Sequence, residues 1–214
     1  MVKAVLFDFW GTLVENGTRS PTREAQKIMR ARMHYRQFIV AFEDAFFTKK
    51  WTTQEEGFRS VFERLNIRPH PIAVEKLVGL WNKNKLLATL YPDTLEVLQT
   101  LKDKGYKLGL LSNTDNFSVD FVLDKFKLRD MFDVVVLSYD VGLLKNNPKM
   151  FEMALEKLDI KPADAIMVGD SLETDIPGAK AAGVEAILVD RRGMREYQPK
   201  VAALKEILPL IDHD

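Results

Sequence analysis

The chain has 214 residues, 46% of them hydrophobic, enough for one sizeable core and a smaller satellite domain. Its 31 basic and 31 acidic residues cancel, which argues against a nucleic-acid partner, and the lack of cysteine excludes disulfides, Cys-based metal sites and a thiol nucleophile. No stretch approaches the ~18–20 apolar residues of a membrane-spanning helix, and Met1-Val2-Lys3-Ala4 runs into strand-like sequence without a signal-peptide cleavage site, so a cytoplasmic protein with no membrane partner is expected.

The first element is a mostly apolar run over residues 2–7 that leads straight to Asp8, Phe9, Trp10, Gly11 and Thr12. It reads as a strand buried on both faces of a parallel sheet, with Asp8 at its carboxyl end. Gly11 supplies a turn that lets backbone approach a ligand. The chain then turns through Glu15-Asn16-Gly17-Thr18, and Ser20-Pro21-Thr22 has the capping hydroxyl and early proline of a helix start. From there to about residue 90 the pattern is helical, with no strand. Ile28, Met33, Phe38, Phe42, Ala45 and Phe46 mark one segment, Phe58, Val61, Phe62 and Leu65 a second, and Val74, Leu77, Val78 and Trp81 a third. Strand–helix alternation resumes with a helix over 94–104, ended by Gly105, and a strand over 107–112. A helix over 117–126 and a strand over 132–138 follow, then a helix over 148–158 and a strand over 165–168. The spacing closes with a helix over 176–182, a strand over 186–189 and a final helix over 199–211. This alternation predicts a doubly wound, Rossmann-like parallel α/β core made by residues 1–15 and 90–214, with an all-helical cap, 16–89, inserted after the first strand.

Polar residues collect at the strand ends: Asp8, then Ser112-Asn113-Thr114, then Lys145 beyond the third strand, then Gly169-Asp170-Ser171 followed by Asp175. In a parallel sheet these ends share one edge, so the groups converge. Three close carboxylates repel one another, and a divalent cation with hard oxygen ligands, Mg²⁺, relieves that repulsion. A carboxylate can attack phosphorus or carbon and form a covalent intermediate that water hydrolyses. A Ser hydroxyl, backbone N–H groups and a Lys ammonium can bind phosphoryl oxygens. The expected partner is a small-molecule substrate, and the expected unit a monomer or homodimer.

Asp8-Phe9-Trp10-Gly11-Thr12, Ser112-Asn113, Lys145 and Gly169-Asp170-Ser171-Leu172-Glu173-Thr174-Asp175 resemble, in order, the four motifs of the haloacid dehalogenase-like hydrolases. The insert resembles the helical cap of that superfamily's phosphatase and dehalogenase branches. The resemblance implies that Asp8 is the nucleophile and that Ser112 and the Asn113 amide bind the transferring group. It implies that Lys145 steadies Asp8 and the substrate charge. It also implies that Asp8, Asp170 and the Trp10 main-chain oxygen ligate Mg²⁺, with Asp175 orienting the metal's water shell. Thr12 and Trp10 complete the substrate-facing set.

One position departs from the phosphatase pattern. Those enzymes usually carry a second aspartate two residues after the nucleophile, which protonates the leaving alkoxide and then activates water; here the residue is Trp10. General acid–base help is worth ~10²–10⁴-fold, so weakened phosphatase chemistry is expected. An aromatic at this position resembles the 2-haloacid dehalogenase branch, which needs no metal, whereas Asp170 and Asp175 resemble the metal-binding form. The readings are a Mg²⁺-dependent phosphatase of a small phosphate ester, a metal-independent 2-haloacid dehalogenase, and a catalytically weak protein that binds a phosphorylated ligand. The remaining polar residues read as surface: His34, His70 and His213, Arg191-Arg192, and Arg23, Arg30, Arg32 and Arg36 along the first cap helix, with the alternative that one of these four arginines reaches in to hold a substrate carboxylate or phosphate. Trp51 and Trp81 read as cap core, with the alternative that either faces the substrate.

Overall fold

The computed structural model describes residues 1–15 and 20–212. Most of the expected turn through Glu15-Asn16-Gly17-Thr18 and His213 lie outside the described residues. Strand β1 (Ala4–Phe7) is followed by β2 (Val14–Glu15) and four helices, α1 (Pro21–Met29), α2 (Tyr35–Phe47), α3 (Gln54–Arg64) and α4 (Pro71–Leu87). Strand β3 (Thr89–Leu90) comes next, followed by α5 (Thr94–Asp103), β4 (Lys107–Ser112), α6 (Val119–Lys125) and β5 (Val134–Leu137). The chain continues through α7 (Ser138–Val141), α8 (Lys149–Leu158), β6 (Ala165–Gly169), α9 (Asp175–Ala181), β7 (Glu185–Val189), β8 (Lys200–Val201) and α10 (Leu208–Ile211).

Among the described residues the main sheet is parallel, in the order β5-β4-β1-β6-β7-β8. β1 is buried along its whole length, as an apolar central strand must be. Its side chains alternate between two cores. Val5 and Phe7 join Leu108, Leu110, Val97, Leu101 and Val122 on the face covered by α5 and α6. Ala4 and Leu6 join Met167, Phe151 and Ala179 on the face covered by α8 and α9. The strand order reverses at β1, whose neighbours are β4 and β6. Doubly wound sheets open their ligand crevice at such a point, beyond the carboxyl ends of the strands.

Helices α1 to α4 enclose a third core, rich in aromatic rings. Phe42, Phe46, Phe58 and Trp81 pack with centroids 4.6 to 6.4 Å apart, a separation at which tilted and edge-to-face pairs are favourable. Thr53 and Glu56 form a capping box at the start of α3. Leu144, from the loop that carries Lys145, is buried in this same core, so the helical layer and the sheet edge are packed together.

Three sequence expectations are corrected here. The first helical segment of the insert is two helices. Arg30 takes left-handed backbone at φ 53° and ends α1, and His34 Nδ1 accepts from Arg36 N at 3.3 Å to start α2. Arg23 and Arg36 therefore stand on different helices, with Arg30 and Arg32 in the connection, and Met33 is exposed rather than core. The stretch is also not wholly helical, because β2 and β3 pair antiparallel at the base of the insert. The tail is not one helix. Pro199 and Pro209 remove backbone donors, and the free edge of β7 recruits β8 through Leu188 N to Pro199 O at 3.1 Å. A 3₁₀ turn, Leu204–Ile207, and α10 follow.

Two glycines test how tightly this frame is packed. A Cβ at Gly178 on α9 would lie 1.8 Å from the Lys145 carbonyl oxygen, a backbone atom that cannot rotate away, whereas one at Gly79 on α4 meets nothing within 4 Å. Gly178→Ala is expected to lower unfolding free energy by ~1–3 kcal/mol, the usual cost of overpacking. Gly79→Ala is expected to raise it by ~0.5–1 kcal/mol, the helix-propensity difference. Urea unfolding of both variants checks the pair, and a stable Gly178→Ala protein would contradict the packing.

Candidate active site

β1 ends by placing Asp8 at the crevice, with the Asp8 N–H donating to Val168 O on β6 at 2.9 Å. Thr12 Oγ1 donates to Asp8 Oδ2 at 3.1 Å. Lys145 Nζ donates to Asp8 Oδ1 and stands 2.6 Å from Asp175 Oδ1. All three side chains are almost fully buried, at 6% exposure for Asp8, 3% for Lys145 and 0% for Asp175. Burial disfavours the Lys145 ammonium, but Asp175 and Asp8 outweigh it and hold its pKa above the ordinary lysine value. Burial pushes Asp8 up to about 8; Lys145 opposes this, and Asp175 and Asp170 add to it.

Asp170 follows β6 directly. Its carboxylate, 30% exposed, opens toward the cleft. Burial and then Asp175 raise it to about 6, against Arg195 and Lys145. One oxygen from each of Asp8, Asp170 and Asp175 lies within 4.8 Å of the others. Two glycines permit this crowding. Gly11, at φ 83°, would put a Cβ 2.7 Å from Asp170 Oδ2, and Gly169 would put one 2.2 Å from Asp175 Oδ2. Asp175 Oδ2 is held by the Ser171 N–H at 3.0 Å. Hard carboxylate oxygens gathered beside the nucleophile candidate suit a small divalent cation such as Mg²⁺.

Ser112 ends β4. Its Oγ is buried and has no hydrogen-bond partner among the described residues. Asn113 links two elements, since its Oδ1 accepts from Lys145 N at 2.8 Å and its Nδ2 donates to Glu43 Oε2 on α2 at 2.9 Å. Trp10 is anchored, with Nε1 donating to Thr114 Oγ1 at 3.1 Å and its ring edge-on to Phe9. Asp8, Trp10, Asn113, Lys145 and Asp170 line one cleft of about 1280 Å³ between the sheet edge and α1, α2 and α4. Thr12 and Ser112, both fully buried, are not among the residues that line it, and the Thr12 hydroxyl is bonded to Asp8.

Several residues of this site are not apparent from the strand-end pattern. Arg191, expected as solvated surface, stacks on Tyr91 with its guanidinium 3.5 Å from the ring centroid and donates to Thr12 O at 2.9 Å. Arg192 is exposed, as expected. Arg195 donates to the Asp170 carbonyl oxygen and lies 3.4 Å from its carboxylate. Asp115, 2% exposed, accepts from Trp81 Nε1 at 3.0 Å and from the N–H groups of Phe117 and Ser118, which ties α4 to the end of β4. Glu43 sits among Phe42, Phe46 and Phe47, all buried. An acid flanked by buried positions at i−1, i+3 and i+4 is the signal that marks it. Arg23 and Arg36 also line the cleft.

A model of the haloacid dehalogenase-like hydrolases matches residues 2–183. A glyceraldehyde 3-phosphate phosphatase of Methanopyrus kandleri is 28% identical over 207 residues, covering 94% of this chain and 89% of that one. The crystal structure of a HAD phosphatase from Thermococcus onnurineus matches with a TM-score of 0.68 and 26% identity, over 99% of this chain and 98% of the other. An L-2-haloacid dehalogenase structure shares the fold at a TM-score of 0.68 and 19% identity, over 99% of both chains. No described helix is long and apolar enough to cross a membrane. With four strand-end motifs meeting at one crevice and a family match over most of its length, the chain belongs to the haloacid dehalogenase-like hydrolases.

Proposed function

We propose that this hydrolase is a Mg²⁺-dependent phosphatase of small phosphate esters that works through a covalent intermediate on Asp8. The observation that carries the reading is the gathering of Asp8, Asp170 and Asp175 oxygens within 4.8 Å. A single carboxylate suffices to displace halide; here Lys145 and Arg195 set two positive charges against three carboxylates, and the charge left over is one that a divalent cation joining them would offset. Mg²⁺ would be held by Asp8, Asp170 and the Trp10 main-chain oxygen, with Asp175 orienting its water shell, and would supply charge neutralisation at the phosphoryl group. The relatives named as phosphatases support the same choice.

In this reading the Asp8 carboxylate attacks phosphorus in line with the leaving oxygen. The Lys145 ammonium, fixed by Asp175, offsets the charge on Asp8 and on the incoming phosphoryl group. Ser112 Oγ and the Asn113 backbone N–H bind phosphoryl oxygens, which gives the unpartnered hydroxyl its acceptor. Water then attacks phosphorus and frees Asp8. Residues 16–89 act as a cap on a core of residues 1–15 and 90–214, closing the cleft against bulk water. Trp10 cannot protonate a leaving alkoxide, so turnover of alkyl esters is held back at that step unless another group donates.

A second reading rests on that same side chain. An aromatic at Trp10 favours 2-haloacid dehalogenation, in which halide leaves without a proton.

Turnover of p-nitrophenyl phosphate is expected to need Mg²⁺, to stop on chelation and to be abolished in Asp8→Asn. Full activity in EDTA would contradict the phosphatase reading. Steady chloride release from L-2-chloropropionate by metal-free protein would establish the second reading instead.

A further inference from the structure

Among the described residues, four acids that the motifs do not use line the cleft, Glu24, Glu43, Asp115 and Asp190; Glu24 pairs with Lys27, Asp190 with Lys200, and Asp115 accepts from two backbone N–H groups. Glu43 is partly buried on α2 and lines the same cleft as Asp8 and Trp10. A neutral amide holds one of its carboxyl oxygens, Asn113 Nδ2 donating to Oε2 at 2.9 Å, and Asn113 is in turn tied to Lys145 N. Among the described residues no cation forms an ion pair with Glu43. A carboxyl held this way keeps Oε1 for a proton, and burial outweighs the Asn113 hydrogen bond and the more distant Lys145 charge that favour its charged form.

We propose that Glu43 is the catalytic acid of this phosphatase, reaching the leaving oxygen from the helical layer in place of the side chain that Trp10 cannot supply. The inference rests on the phosphatase reading above. In the first step the Asp8–phosphorus bond forms and the phosphorus–alkoxide bond breaks; the leaving oxygen takes the Glu43 proton, giving free alcohol and a Glu43 carboxylate. In the second step water attacks the aspartyl phosphate and its proton returns to Glu43, while Asp8 leaves phosphorus as a carboxylate. Protons and charge balance over the cycle. Burial pushes the Glu43 carboxyl up to about 7, against the Asn113 hydrogen bond and Lys145, with Asp175 and Glu173 adding to the rise. His34 and Arg36, from the start of the same helix, also face the cleft. An acid poised near neutral pH is well matched to proton donation.

Glu43→Gln keeps the acceptor that Asn113 needs and removes only the proton. The expected result, measured with Mg²⁺, is a loss in kcat/KM of ~10²-fold or more toward glycerol 2-phosphate, the usual worth of a general acid. The loss toward p-nitrophenyl phosphate, whose phenolate leaves unprotonated, is much smaller. Wild-type kcat/KM for the alkyl ester falls as pH rises through about 7, because the donor form is lost, and Glu43→Gln lacks that limb. Trp10→Asp introduced into Glu43→Gln restores alkyl ester turnover. Equal losses toward the two esters, or no loss, overturn the role of Glu43 while leaving the phosphatase reading intact. Wild-type protein that hydrolyses neither ester overturns both.

Discussion

One ammonium group buried between two carboxylates organises this molecule. Lys145 is 3% exposed and touches both Asp8 and Asp175, which are far apart in the sequence. Removing one partner of such a buried set leaves an uncompensated charge, typically at a cost of ~3–5 kcal/mol. The pairing therefore binds the loop after α7, the end of β1 and the start of α9 into one unit. Backbone contacts reinforce it: Gly178 has no side chain where the Lys145 carbonyl passes, and Asn113 accepts from the Lys145 N–H. The structural clamp and the charge expected to steady a nucleophile are the same group.

Around that clamp, chemistry and packing are hard to separate. Gly11 and Gly169 admit Asp170 and Asp175 to distances that a Cβ would forbid, so the acidic cluster depends on the backbone as much as on its side chains. Trp10 is not a loose replacement for an acid: its indole is fixed by Thr114 and Phe9, which closes that corner of the cleft to proton transfer. The helical layer faces the same cleft through Glu43, Arg23 and Arg36, and its aromatic core takes in Leu144, next to Lys145. A motion of α1 to α4 would thus be felt at the lysine through direct packing.

The sheet was legible because a parallel strand buried on both faces must be apolar along its length, and a polar residue just beyond it announces the crevice. Asp8, Asn113 and Asp170 follow that rule. Glu43 and Arg195 do not, because what gives them meaning is a partner 70 residues away at Asn113 or 25 residues away at Asp170. Arg191 reads as a surface charge until Tyr91 is placed beneath it, 3.5 Å away. The break between α1 and α2 was hidden for a local reason: Arg30 has ordinary helix propensity, and only its left-handed backbone stops the helix. The position of Thr12 in the first motif does not by itself reveal that its hydroxyl is bonded to Asp8 Oδ2.

The most direct test is to quench the Mg²⁺-loaded protein in acid during turnover of a phosphate ester and to map phosphoryl-bearing peptides by mass spectrometry. The account predicts an added phosphoryl group on the peptide containing Asp8, lost on treatment with hydroxylamine as an acyl phosphate would be. Turnover that leaves Asp8 unmodified, with the phosphoryl group on another residue, would contradict it.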